Sequence, residues 1–271
     1  MKTITEHIMP TDEAQIWLES IPRKDPGLQL AKPNLRTACL CYEAQALFDS
    51  DSDDEWWIVK MLQIVKEAIL IDLEYQEWTE SLPAIWRKRN LRKSGTTSTK
   101  EDNTEPISHV FPQHVYEDIY IAFISNNYRA ARIHLHEVLL RCVSLIESHP
   151  HAETSFNAEQ TRIQSRAIIS EMISDICAST SYCLGDINST GDLAPTGYRM
   201  PLGGYLVIWS HWRAYVSAPE GSKSKLWLRT KLEYISNSMG ILAARTVTNR
   251  TIKNPWDLRT SSNEGKNPHE Y

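Results

Sequence analysis

The sequence predicts an all-α protein, an array of long antiparallel packed helices, and three observations carry that expectation. Apolar residues recur at three- and four-residue steps over long runs, the spacing that lines them along one helix face. No stretch alternates apolar and polar residues between turn signals, as a half-buried strand would. Clusters rich in Pro, Gly, Ser and Asn separate the periodic runs. A chain of 271 residues can bury a sizeable core, and 41% hydrophobic with 23% charged residues is an ordinary globular composition.

Taken in order, the first long helix carries Ile58, Met61, Leu62, Val65, Ile69, Leu73 and Trp78 at helical steps, which marks them as its buried face. The acidic run from Asp49 to Glu55 sets negative charge and capping oxygens before it, and Pro83 breaks it. Residues 93–106 are polar and turn-forming and read as a mobile loop. A second long helix is expected from about Pro112 to Glu147, ended by His149, Pro150 and His151. A third covers roughly 156–183 and stops at Gly185, a residue suited to a left-handed terminator. After a loop over 186–202, two helices are expected over about 203–217 and 223–248, joined by the turn from Pro219 to Gly221. The expected organisation is an amino-terminal segment (1–32), a helical domain (33–248) and a polar tail (249–271).

A net charge of −5 and a pI near 6.0 argue against a nucleic-acid surface as the dominant feature. The local basic run Arg87, Lys88, Arg89, Arg92 and Lys93 reads as a solvated helix end, with a nuclear import signal or phosphate patch as the alternative. The start lacks the apolar core of a secretory signal, and no run of apolar residues is long enough to cross a membrane. Five cysteines in no regular framework fit a reducing, intracellular setting. Cys39 and Cys41 have too few partners nearby for a structural zinc site.

Several side chains are candidates for chemistry. His134 and His136 point about 200° apart on a helix and cannot share a metal, and no metal site is expected. Arg129, Arg132 and His136 share a face, with Asn126 and Asp118 earlier on the same helix. Such a stripe is either an internal ion-pair network that fixes helix register or an anion and carbonyl site, since two guanidinium forks can hold a carboxylate. Tyr205, Trp209, Trp212 and Tyr215 follow helical spacing and serve either as packing or as the wall of an apolar ligand pocket. His211 among them is a structural histidine or, with Asp118, an acid–base candidate. Patterns for nucleotide, phosphate, nucleophile-elbow and dithiol sites are absent, so no cofactor is expected.

Four motifs recur together. They are Trp78, Ser81, Leu82, Pro83 and Trp86; then Asn126, Tyr128, Arg129 and Arg132; then Ile176, Ala178, Ser179, Tyr182, Leu184 and Gly185; and last the pair Gly203–Gly204 with Met239, Gly240 and Ile241. In this order they resemble the carboxy-terminal regulatory region of fungal zinc-cluster transcription factors, over about residues 33–248. The resemblance implies a helical regulatory domain concerned with effector response, autoinhibition and dimer contacts. The six-cysteine, two-zinc DNA-binding module of that family and its basic linker are not in this sequence, so direct DNA binding by this chain alone is not expected.

The functional expectation is a transcription-regulator-like protein that works by protein contacts or small-molecule sensing, tied to a fungal secondary-metabolite pathway and nuclear in location. Its partners are a protein or a small apolar ligand, with homo- or heterodimers open to it. The alternative is a helical domain recruited as a cofactor-independent isomerase, cyclase or ligand carrier in the cytoplasm. There Tyr205, Trp209, His211 and Trp212 would line the cavity while Arg129 and Arg132 hold polar groups. A third reading is a gene product whose zinc-cluster exon lies upstream of Met1.

Overall fold

In the computed structural model the described residues are 25–50, 55–91, 111–149, 157–195 and 200–249, together with Ile16. They build a mainly α-helical protein in the order α1 (Pro26–Gln29), α2 (Ala31–Phe48), α3 (Glu55–Ser81), a 3-10 turn (Ala84–Trp86), β1 (Arg89–Leu91), β2 (Gln113–Val115), α4 (Ile119–Ser148), α5 (Ala158–Leu184), α6 (Pro201–Ser217), α7 (Lys223–Ser238) and α8 (Leu242–Asn249). The loop expected over 93–106 and most of the polar tail lie outside the described residues. No described helix is long and apolar enough to cross a membrane.

The organising element is α4. Every residue from Tyr128 to Leu139 is buried, which covers all sides of the helix for more than three turns. Around it pack α5, α3, α6 and α2. One apolar cluster joins Leu30, α2, α3, α4 and α5 with Ala214, Ala218, Trp227 and Leu228. A second gathers Val115, Tyr116, Ile121, Tyr182, Leu184, Val207, Leu232 and Ile235 at the other end, and Trp86 and Tyr215 pack against both.

The motif Trp78–Trp86 ties α1 to this body. The Trp78 indole donates to the carbonyl of Pro26 at 2.7 Å, Leu30 is buried, and the Trp86 ring meets Tyr120 edge-on at 5.8 Å. The expected segment boundary at residue 33 therefore falls inside α2, in a region already packed on the core.

Three expectations are corrected. A helix start near Pro112 is replaced by β2, which pairs antiparallel with β1 in the register Arg89 to Val115 and Leu91 to Gln113. Strands of three residues are too short to display alternation in sequence. The helix starts instead at Ile119, after Asp118 in extended conformation. A single helix over 223–248 is divided at Met239–Ile241, where Gly240 has φ +73°, a left-handed angle that an L side chain rarely adopts. On α3, Ile58, Met61, Val65 and Trp78 are buried as expected, but Ile69 and Leu73 are 42% and 47% exposed. The core takes the α3 face that carries Met61, Ile64, Ala68, Ile71 and Tyr75, leaving a separate apolar stripe outside. The stop of α5 at Gly185, with φ +83°, stands as read.

Candidate functional site

The polar stripe on α4 pairs with carboxylates on two neighbouring helices, and Glu137 beside it makes a third pair with α6. Arg132 binds Asp72 of α3 with both prongs, Nε to Oδ1 at 2.6 Å and Nη2 to Oδ2 at 3.0 Å, and its Nη1 donates to the Tyr128 hydroxyl at 2.9 Å. His136 Nε2 donates to Asp72 Oδ1 at 3.0 Å, while its Nδ1 shares a hydrogen bond of 3.1 Å with the Ser165 hydroxyl of α5. Burial raises the Asp72 pKa, but the His136 and Arg132 hydrogen bonds outweigh it and hold the carboxyl well below the usual range. Removing one partner of such a pair strands a buried charge, at a cost of about 3–5 kcal/mol.

Arg129 turns toward α5. Its Nη1 donates to the Tyr116 hydroxyl at 2.9 Å and to Asn126 Oδ1 at 2.7 Å, and its Nε lies 3.5 Å from Asp175. Lys88, beside β1, donates to the same carboxylate, and His114 of β2 sits 3.9 Å from it. Burial works to raise the Asp175 pKa, and Arg129 followed by Lys88 outweigh burial and lower it. His114 is pushed down to about 4, first by burial and then by the Lys88 charge, so it stays neutral near pH 7. Ser179 donates to Asn126 Oδ1 at 3.0 Å and Asn126 donates to the Cys183 sulfur, joining the second and third motifs of the sequence.

The third pair is Glu137 with Arg213 of α6, both almost wholly buried. Burial drives the Arg213 guanidinium down to about 9, with Cys41 acting weakly against it.

The other sequence candidates do not converge on these groups. His211 is fully buried on α6; its Nδ1 donates to the Val207 carbonyl at 3.0 Å and its Nε2 accepts from Thr180 at 2.8 Å. Burial lowers its pKa to about 4, which leaves it a neutral brace between α5 and α6. Tyr205 is 64% exposed, and Trp209 and Trp212 pack on each other at 5.1 Å. Asp118 caps α4, accepting from the Ile121 amide at 2.9 Å. Cys41, Cys142, Cys177 and Cys183 are buried with raised pKa values, burial being the first cause in each, so none is a ready thiolate. Among the described residues no cluster of three or more His, Cys, Asp or Glu side chains is placed to hold a metal ion.

Helical spacing points to Arg129 and Arg132 but not to their partners, because Asp72 is 60 residues from Arg132. The only local signal is a lone carboxylate set between Ile71 and Leu73. Equally hidden in sequence is a groove of about 690 Å³ between α2 and α3, lined by Leu40, Tyr42, Ala46, Lys60, Gln63 and Leu70 among others. Beside it Trp56, Val59, Leu70 and Leu73 stand 47–57% exposed along one stripe of α3.

No family model matches this chain, no curated protein is detectably similar to it, and no solved structure matches it.

Proposed function

We propose that this chain is a regulatory module that acts through protein contacts at the outer face of α2 and α3, in the manner implied by its resemblance to the carboxy-terminal region of fungal zinc-cluster transcription factors. The observation that carries the reading is the exposed apolar stripe of α3 beside the groove. The polar side chains of the four motifs support it from the other direction. Arg129, Arg132, Asn126 and Ser179 are spent on internal bonds between helices, as in a scaffold that presents its function on the outside. On this reading the protein works in the nucleus, on genes of a secondary-metabolite pathway. The groove also falls within the volume of small-molecule sites, about 300–1,000 Å³. Effector sensing beside the contact face is therefore the second reading.

A reporter assay tests the first. Fused to a heterologous DNA-binding module, the chain is expected to change output relative to that module alone. Val59→Glu with Leu70→Glu should return output to the baseline while circular dichroism and thermal unfolding stay as in wild type, because both positions face solvent. A folded stripe variant that acts like wild type contradicts the reading.

A further inference from the structure

The outer stripe of α3 is complementary to itself when reversed. Trp56, Gln63 and Leu70 repeat every seven residues, as do Val59, Lys66 and Leu73, and all six are exposed. Together they form the two seam positions of a heptad pattern about 26 Å long, at 1.5 Å per residue. A second α3 laid antiparallel, with a two-fold axis between Ile64 and Val65, brings Trp56 against Leu73, Val59 against Leu70, and Gln63 against Lys66. Each pair then occurs twice, as an isologous interface requires.

The flanks obey the same symmetry. On the groove side Lys60 of one copy faces Glu67 of the other; on the opposite side Leu62 faces Ile69. Within one chain Lys60 and Glu67 are about 10 Å apart along the helix and do not pair. Lys60 instead sits 5.6 Å above the Trp56 ring, and Glu67 receives Arg36 of α2. The polar layer at the centre selects the register. A parallel pairing sets Lys66 against Lys66, and an antiparallel slip by one heptad sets Lys66 and Gln63 against apolar side chains, Leu70 and Leu73 in one direction and Trp56 and Val59 in the other. We infer that the occupant of this face is a second copy of the chain, docked antiparallel through α3 into a two-fold dimer. This rests on the reading of α3 as the contact face and adds its partner.

Sedimentation equilibrium and disulfide trapping test it. Wild type is expected to dimerise reversibly, and Leu70→Glu to raise the dissociation constant by about thirtyfold or more, the effect of losing a central contact. Lys60→Glu and Glu67→Lys should each weaken the dimer, and the two together should restore it, since the reversed charges again meet across the axis. Chains carrying Trp56→Cys and Leu73→Cys should form a disulfide when mixed, and neither should when alone. A wild type that stays monomeric through the micromolar range overturns the dimer. So does failure of the paired reversal to restore association in a folded protein, or a disulfide formed by Leu73→Cys alone, which means parallel pairing. If wild type is monomeric while Val59→Glu with Leu70→Glu still abolishes the reporter effect, the dimer is wrong and the contact face belongs to another protein. If that variant leaves the reporter untouched but breaks the dimer, the dimer stands and the regulatory reading fails.

Discussion

His211 and His114 show how burial decides the role of a titratable side chain. Both are held neutral near pH 7, and both have pKa values pushed down to about 4 from an ordinary value of 6.5. Between those values the unfolded chain takes up a proton that the folded chain refuses, so stability is fully present above pH 6.5 and falls as pH drops toward 4. For His211 alone the loss from pH 7 to pH 5 is about 2 kcal/mol. Asp72 and Asp175 add a loss of the same sign lower down, because depressed carboxyl pKa values stabilise above the unfolded value near 4 and cease to do so below it. Urea unfolding across this range should therefore show stability rising with pH. His211→Gln should reduce proton uptake on unfolding by about one proton at pH 5. An unchanged slope in that variant would mean that His211 titrates normally and is open to solvent.

At the scale of elements, two adjacent glycines on α6 make a sharper test than either alone. A Cβ on Gly203 would lie 1.8 Å from the carbonyl oxygen of Cys183, so the α6 backbone must move away from α5. A Cβ on Gly204 would meet the Met239 sulfur at 2.6 Å, the far part of a flexible side chain that can turn aside. Gly203→Ala should cost about 3 kcal/mol or more, and Gly204→Ala should stay near wild type because improved helix propensity offsets the Met239 adjustment. Equal effects in a thermal unfolding series would contradict this packing of α6. The pair was visible in the sequence, but the reason for it was not, since Cys183 lies on another helix. The same limit applies elsewhere. Periodicity located the long helices and Gly185 marked the end of α5, because those signals are local. The β1–β2 pairing was invisible, since each strand has three residues and their pairing joins positions far apart in the chain. On α3 two apolar stripes overlap in sequence, and only packing against α4 shows which of them is buried.

For the whole molecule, the sequence showed a polar stripe on α4 but not its use. Arg129 and Arg132 were legible as a pair of guanidinium groups on one face, and a register-fixing network was one of the two uses open to them. In the fold both guanidinium groups meet internal carboxylates, Asp175 and Asp72, which come from separate helices with no shared motif. On the proposed reading, the partner surface is the outside of α2 and α3 rather than the aromatic stretch of α6. Hydroxyl-radical footprinting at low and at high protein concentration compares the two faces directly. Trp56 and Tyr42 should lose reactivity as concentration rises, while Tyr205, the more exposed ring, keeps it unchanged. Protection of Tyr205 and Trp209 with Trp56 unaffected would place the contact on α6 and contradict the assignment.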